Sequence, residues 1–148
     1  MELKIARFNS KNGVEFQKTL KKRVDEYFSS NNLSKNANGT MVFKTIAILA
    51  MYFVPFISLF VFELSGWKFF LAWFVMGVAV AGVGMAIMHD ANHGSYSSST
   101  KINTIIGKVI GLAGGHDTNW KIQHNVLHHT YTNVDGLDED INPPGGLL

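Results

Sequence analysis

Cysteine is absent from this chain of 148 residues. Without thiols, the chain cannot form a disulfide, a cysteine-ligated zinc site, an iron–sulfur cluster or a thiol nucleophile, so any metal must bind to histidine, carboxylate or amide groups. A strong charge of one sign is also absent, because 13 basic residues stand against 11 acidic ones. Since no nucleic-acid-binding motif occurs either, the sequence excludes a nucleic-acid partner.

The first 40 residues lack the short apolar core and the small-residue cleavage site of a signal peptide, so we expect a cytoplasmic N-terminus. Apolar residues recur there at three- and four-residue steps between basic ones, which predicts an amphipathic helix over residues 16–28. Its apolar stripe is narrow, so we expect it to pack on the protein's own cytosolic part rather than on a membrane surface. Residues 29–40 are predicted to be a connector.

Two long apolar runs, residues 45–62 and 69–88, contain no charge. Each approaches the roughly 20 residues that a helix needs to cross the hydrocarbon core of a membrane. Residues 63–68 between them are polar and few, so the two spans are predicted to form a helical hairpin. Basic residues concentrate up to Lys44 and recur after the second run, which predicts that both hairpin ends are cytoplasmic. Three glycines in the second run predict close helix packing.

A shorter apolar pattern at helical spacing follows over residues 102–113, with Asn103 and Lys108 on its polar side. It is too short to span, so we expect it to lie flat on the cytoplasmic interface and to end at Gly114-Gly115. The predicted fold is an all-α, multi-pass integral membrane protein with one two-span transmembrane hairpin plus interfacial and cytosolic helices. Its predicted parts are a cytosolic lead-in at residues 1–44, the hairpin at 45–88 and a cytosolic histidine-rich region at 89–148.

All six histidines lie between His89 and His129. His89 and His93 are four residues apart, so on a helix that continues out of the second span their imidazoles project from one face. The same spacing recurs at His124 and His128, with His129 adjacent. Either pair alone would be read as an ordinary solvated pair. Two such clusters beside the cytoplasmic membrane surface predict one shared metal site.

The residues beside the histidines limit the kind of metal site. Asp90 follows His89 where a zinc-peptidase helix has glutamate, so zinc proteolysis is disfavoured. Five clustered imidazoles exceed the three protein ligands of a catalytic zinc ion and the two histidines of a mononuclear non-haem iron site. We therefore expect two metal ions. Because two ions need more donors than five imidazoles, the remaining ligands are expected after Leu148.

The sequences HDANHGS at residues 89–95 and NWKIQHNVLHHT at residues 119–130 resemble the first two histidine boxes of membrane fatty acid desaturases, particularly bacterial forms similar to linoleoyl-CoA desaturases. The resemblance covers essentially the whole chain. It implies a di-iron centre that uses dioxygen, and two electrons from cytochrome b5 or ferredoxin, to remove two hydrogens from an acyl chain bound to CoA or to a lipid. Position by position, it implies five iron ligands: His89, His93, His124, His128 and His129.

Polar residues near the boxes are candidates for holding the second ring nitrogen of each ligand, namely Asp90, Asn92, Asn125 and Asp138. The acidic run at residues 138–140 is nevertheless expected to be an exposed loop, and no acid is assigned to the metal.

Two further aromatic residues lie close to the boxes. His116 is outside both, and we expect it at the surface or behind the ligands. Trp120 lies four residues before His124 and shares its helix face, so it has two interpretations. Anchoring at the membrane interface is the expected role, and packing near the metal is the alternative.

The third histidine box of the family, usually Gln-x-x-His-His, and the hairpin before it do not occur in these 148 residues. We therefore expect the chain to be the N-terminal part of a desaturase, and whether it is active alone is an open question. Two alternatives remain. One is a related di-iron hydroxylase or ketolase, which inserts oxygen, and the other is a non-catalytic desaturase remnant or metal-binding membrane module.

Overall fold

The computed structural model describes residues 13–138 and 140–141. Within these ranges the chain is helical, with short loops and no strand, which confirms the predicted all-α fold for the described part. The chain divides into two compact units, residues 1–35 and residues 36–148. Glu139 of the acidic run and the end of the chain from residue 142 lie outside the described residues.

The first unit contains α1 (Val14–Ser30), which is the predicted amphipathic helix. The amide of Asn31 donates to the carbonyl oxygen of Tyr27 at 2.8 Å and closes its last turn. No residue of α1 is buried among the described residues of its unit. The expected packing of its apolar stripe on the protein's own cytosolic part stays a prediction.

The second unit begins with two long apolar helices. In chain order their parts are α2 (Gly39–Val61), α3 (Gly66–Gly82), a first π-helical turn (Val83–Ile87) and α4 (Met88–Asn92). The last three form one continuous helix, and both helices are long and apolar enough to cross a membrane. Helix α2 begins before the charge-free run because the side chain of Asn38 accepts the N–H of Met41 at 3.0 Å and caps the helix.

The two long helices approach closely at one glycine. A Cβ added at Gly82 would lie 3.1 Å from Cδ1 of Ile48, so only glycine allows this contact without a shift of the neighbour. The other two glycines of the run, Gly77 and Gly84, face open space. The prediction of close packing is therefore confirmed at Gly82 and wrong at the other two positions.

Shorter helices follow the hairpin. They are α5 (Thr100–Gly107), a 3₁₀ helix (Lys108–Ala113), α6 (Asp117–Trp120), a second π-helical segment (Lys121–His128) and α7 (His129–Tyr131). The apolar segment predicted at 102–113 is therefore helical, but its second half is a 3₁₀ helix. It ends as predicted at Gly114, whose φ of 77° is a left-handed conformation that suits glycine.

The polar face predicted for this segment is wrong at Asn103, which is buried. Its side-chain amide donates to the carbonyl oxygens of Gly94 at 3.1 Å and Ser97 at 2.7 Å, while its Oδ1 accepts the N–H of Ser97 at 2.8 Å. Asn103 is buried because its side chain forms hydrogen bonds with the loop that follows α4. Helical periodicity cannot predict such a contact between two segments.

Apolar packing joins these short helices to the hairpin. A buried cluster contains Val83, Ile87 and Met88 from the long helix and Ile110 from the 3₁₀ helix. At the same end of the hairpin, the hydroxyl of Tyr96 lies 2.9 Å from the hydroxyl of Thr45, near the beginning of α2. The loop after α4 is thus held against both the first long helix and α5, which fixes where α4 ends.

Candidate metal centre

The first pair of histidines lies at the end of the long helix. His89 is within α4 and His93 caps it, with the N–H of His93 donating to the carbonyl oxygen of His89 at 3.0 Å. Their ring centroids are 4.5 Å apart, so the two imidazoles share a face as the four-residue spacing predicts. Nδ1 of His89 lies 3.2 Å from a carboxylate oxygen of Asp90.

The second group of histidines is arranged by the second π-helical segment. The N–H of His129 donates to the carbonyl oxygen of His124, five residues back, as in a π turn. On an α-helix, five residues at about 100° each would point His129 roughly 140° away from His124. In the wider turn, the His129 ring instead lies 5.0 Å from that of His124 and 5.3 Å from that of His128.

The two groups meet in one cluster. The ring of His93 lies 5.3 Å from that of His124 and 4.9 Å from that of His129. The closest approach is between Nε2 of His93 and Nε2 of His129, at 3.4 Å. The structure therefore brings together all five histidines of the two boxes, although the residues come from segments 31 positions apart at their nearest, from His93 to His124.

Two carboxylates hold the outer nitrogens of the second group. Both oxygens of Asp138 lie near Nδ1 of His128, at 3.0 and 3.1 Å, and Oδ2 of Asp140 lies 2.8 Å from Nδ1 of His124. Asp138 is only 1% exposed, so the expectation of an exposed acidic loop is wrong there. Asp138 also accepts the N–H groups of Asn133 at 2.7 Å and Asp140 at 3.0 Å, which fold the loop around its carboxylate.

These contacts shift the protonation of both partners. The hydrogen bond to Asp138 raises the pKa of His128, against the opposing effect of burial. Burial alone would raise the pKa of Asp138, but the bonds from Asn133, His128 and Asp140 together lower it. The carboxylate is therefore ionised. Because it lies beside Nδ1 of His128, it favours the neutral tautomer with the proton on Nδ1, which leaves Nε2 for another partner.

His93 differs from His128 in its protonation. Burial first, and then three neighbouring imidazoles, lower its pKa below the ordinary value. The ring is therefore neutral at neutral pH, the state in which an imidazole nitrogen can bind a metal ion.

Trp120 packs against the cluster. Its ring stacks on that of His124 with centroids 4.4 Å apart, and its edge contacts His89 at 5.7 Å and His93 at 5.6 Å. It also packs against the buried apolar cluster of the hairpin. The alternative interpretation of Trp120, packing near the site, is therefore confirmed, because the chain turns back and brings α6 over the end of the long helix. Anchoring at the membrane interface stays a prediction.

The two asparagines do not contact the ring nitrogens as suggested from sequence. The amide of Asn125 donates to the carbonyl oxygen of Asn92 at 3.0 Å, and the amide of Asn92 donates to that of Gly107 at 3.3 Å. They connect the second histidine segment to α4 and α4 to α5. A Cβ on Gly107 would lie 2.2 Å from Oδ1 of Asn92, so this approach depends on glycine.

His116 lies outside the cluster, as expected. Its side chain is 69% exposed, and Nδ1 accepts the N–H of Thr118 at 3.3 Å, which caps α6.

The arrangement suits a nitrogen-ligated metal ion. Two nitrogens each about 2.1 Å from one ion lie roughly 3.0–3.4 Å apart at tetrahedral or octahedral angles, and the Nε2 atoms of His93 and His129 are 3.4 Å apart. Two overlapping groups have ligand atoms within 4.8 Å of one another: His89, His93 and His124 in one, and His124, His128 and Asp140 in the other. Asp140 was not assigned to the metal from sequence, since no local pattern links it to a histidine 16 residues away.

Comparison with known proteins gives a family match. The family model described as fatty acid desaturase matches residues 65–147, which is more than half of the chain. The matched region includes the second long helix and both histidine segments.

Several characterised relatives are similar in sequence. The chain is 38% identical over 133 residues to an sn-1 linoleoyl-lipid 6-desaturase of Arthrospira platensis, covering 87% of this chain and 35% of the relative. It is 35% identical over 145 residues to the enzyme of that name from Synechocystis, covering 95% and 39%. An acyl-lipid (8-3)-desaturase of Physcomitrium patens is 38% identical over 129 residues, covering 86% and 26%.

The chain thus spans between about a quarter and two fifths of the length of these relatives. No solved structure gives a significant match.

Proposed function

Because this chain belongs to the fatty acid desaturase family, we propose that the whole protein introduces double bonds into fatty acyl chains. The observation that carries the proposal is the cluster of five imidazoles, built from two segments at the end of a helix long enough to cross a membrane. Such a cluster at a membrane edge is costly to assemble without a ligand, because like-charged or desolvated imidazoles destabilise one another.

The proposed ligands are the histidines of the two boxes, His89, His93, His124, His128 and His129, and the proposed metal is iron in a two-ion centre. Five imidazoles are fewer donors than two octahedral ions take, so further ligands are proposed to come from the rest of the whole protein. This is supported by the greater length of the relatives. Asp138 and Asp140 are proposed to orient the rings of His128 and His124.

When bound, iron supplies the oxidising chemistry: one dioxygen, two electrons from cytochrome b5 or ferredoxin and two protons yield two waters as two hydrogens leave the acyl chain. The residues of this chain provide the setting. Asp138 favours the proton on Nδ1 of His128, so that Nε2 would be the nitrogen that holds the ion. Trp120 covers one side of the rings with an apolar surface, which excludes water from that side.

The proposed substrate is an acyl chain carried by a membrane lipid. The relatives are named as desaturases of lipid-linked acyl chains, in the Arthrospira protein a linoleoyl-lipid at its sn-1 position. The long helices are consistent with a lipid substrate, since their apolar side chains face outward and only 6% of the most apolar stretch of α2 is buried.

We further propose an integral, multi-pass membrane protein whose histidine boxes face the cytoplasm. The contact between Tyr96 and Thr45 brings the beginning of α2 and the end of α4 to the same end of the hairpin. The concentration of basic residues up to Lys44 favours the cytoplasm for that end. We also propose the three parts predicted from sequence, which are a cytosolic lead-in at residues 1–44, the hairpin at 45–88 and a cytosolic histidine-rich region at 89–148.

The test is to express the whole protein and its His93→Ala variant in a host that makes no polyunsaturated lipids and is supplied with linoleic acid, and to analyse lipid acyl chains by gas chromatography with mass spectrometry. A new double bond that requires oxygen and is lost in the variant is the expected result. Hydroxylated chains in place of alkenes would assign the related hydroxylase activity. Purified protein with neither bound iron nor a new product would overturn the proposal in favour of a non-catalytic module.

A further inference from the structure

Helix α1 presents a continuous apolar face that nothing among residues 13–35, the described part of its own unit, covers. Phe16, Leu20, Val24 and Tyr27 follow one another at three- and four-residue steps and are 70, 50, 42 and 59% exposed. Residues at this spacing lie on one side of a helix. An exposed apolar stripe of four large side chains is a surface that a partner must cover, since leaving it in water is unfavourable.

The charges of α1 are sorted around this stripe. At about 100° per residue, Arg23 lies beside Phe16 at one edge of the stripe and Lys21 lies at the other edge. The three acids, Glu15, Asp25 and Glu26, lie on the opposite side of the helix. Two cations at the edges, with all three anions away from the apolar face, form the charge pattern that matches an anionic lipid surface, where long basic side chains reach the phosphates.

Two of the three acids of α1 form ion pairs within the unit. Lys22 lies 3.8 Å from Glu26 one turn away, and Lys35 forms an ion pair with Asp25. The hydrogen bond from Lys35 lowers the pKa of Asp25, which keeps that pair charged. Arg23 forms no ion pair within the part of the chain that the structure describes, so its guanidinium is available to a phosphate.

The tether to the next helix is short. Eight residues, 31–38, separate the end of α1 from the beginning of α2. A segment of that length reaches at most about 30 Å when fully extended. If α2 crosses a membrane as proposed above, α1 is held within about one bilayer thickness of its surface, where even weak binding is effective.

From these observations we propose that α1 lies in the plane of an anionic bilayer surface, with Phe16, Leu20, Val24 and Tyr27 among the acyl chains. Arg23 and Lys21 bind lipid phosphates at its two edges. The partner is the membrane itself and the occupant of the apolar face is lipid, so the helix is a second, in-plane contact beside the spanning hairpin.

The absence of cysteine makes a direct test possible, because a single introduced thiol carries the only label. The full chain is placed in bilayer nanodiscs of phosphatidylcholine, with or without phosphatidylserine. A spin label is attached at Leu20→Cys on the stripe or, as the matched control, at Lys22→Cys on the opposite side. Collision with oxygen, which concentrates in lipid, is compared with collision with a water-soluble nickel chelate.

The expected result is a several-fold higher ratio of oxygen to nickel collisions at position 20 than at position 22, increasing when phosphatidylserine is present. Exposure of position 20 to nickel in both lipids would overturn the proposal. Protection of position 20 from both reagents would also overturn it, since protein would then cover the stripe. A label at Ile57→Cys in α2 reports separately whether the hairpin is in the bilayer. Failure of the spanning hairpin can therefore be distinguished from failure of the in-plane position of α1.

The role of charge position is tested with two double variants of equal net charge, both carrying the label at position 20. Lys21→Glu with Arg23→Glu reverses the edges of the stripe, whereas Lys18→Glu with Lys22→Glu reverses cations on the polar side. The edge variant is expected to lose most of the increase caused by phosphatidylserine, and the polar-side variant to keep most of it. Equal losses would show that only net charge matters and would overturn the assignment of Arg23 and Lys21.

Discussion

The two histidine segments of this protein are held in place by different forces. The segment with His89 and His93 continues a long helix whose position is set by apolar packing of Val83, Ile87 and Met88. The segment with His124, His128 and His129 lies on a π-helical turn, and carboxylates hold two of its rings. Apolar packing fixes the position of a whole helix, whereas carboxylates fix the orientation of individual rings. Substitutions in the two segments are therefore expected to differ in their effects on stability and on metal binding.

The largest effect is expected where the two segments meet. His129→Ala removes the nitrogen that lies 3.4 Å from that of His93, so we expect loss of bound iron and of activity in the whole protein. His116→Ala is the matched control, since that ring is exposed and outside the cluster. Iron content by plasma mass spectrometry provides the measurement. Equal iron in the two variants would contradict the shared site.

The carboxylate support of the second segment is tested by Asp138→Asn. Losing an outer carboxylate costs about 10–100-fold in metal affinity at comparable sites, and we expect an effect of that order here. Asp90→Asn should change the affinity much less, because the Asp90 side chain is 43% exposed and makes one contact of 3.2 Å with the neighbouring His89. Competition with a chelator measures both affinities. Equal losses of metal affinity in the two variants would contradict the predicted difference between the two segments.

The packing of the first segment is tested by Gly107→Ala. The new Cβ would overlap Oδ1 of Asn92 and displace the amide that bonds the carbonyl oxygen of Gly107, so we expect a destabilisation of about 1–3 kcal/mol. Gly111→Ala is the control, because nothing lies within 4 Å of its added Cβ. Thermal unfolding of the purified chain in detergent compares them, and a midpoint for Gly107→Ala at or above that of the control would contradict the prediction.

A smaller effect is expected from pH on the metal-free chain. The raised pKa of His128 contributes stability that is fully present below 6.5 and is lost as pH rises through the folded-state pKa. The lowered pKa of Asp138 contributes stability that is present above 3.8 and is lost as pH falls through its folded-state pKa. Both contributions are complete between pH 3.8 and 6.5.

The part of the pH dependence that comes from His128 and Asp138 arises within the second segment. Asp138→Asn should weaken the loss of stability both at low pH and at high pH. The comparison is made by measuring unfolding midpoints of the metal-free chain and the variant across the pH range. An unchanged profile in the variant would show that the ion pair does not contribute to stability.

The sequence by itself determined the features that depend on local periodicity. Charge-free runs of about 20 residues predict the two long helices because the hydrocarbon thickness sets their length, and both are present. The spacing of four places His89 and His93 on one face, since that is nearly one helical turn. Gly114 ends the preceding helix because its left-handed backbone suits glycine. The box motifs identified the family.

Tertiary structure alone decided which residues support the rings and on which face they lie. The π turn that turns His129 toward His124 is a change of helical register that spacing cannot reveal. The burial of Asp138, the contact of Trp120 with three imidazoles and the clamp made by Asn103 all join segments far apart in the chain. A polar side chain is predicted to be exposed when only its own helix is considered. Its burial depends on hydrogen-bond partners that folding brings from distant segments of the chain.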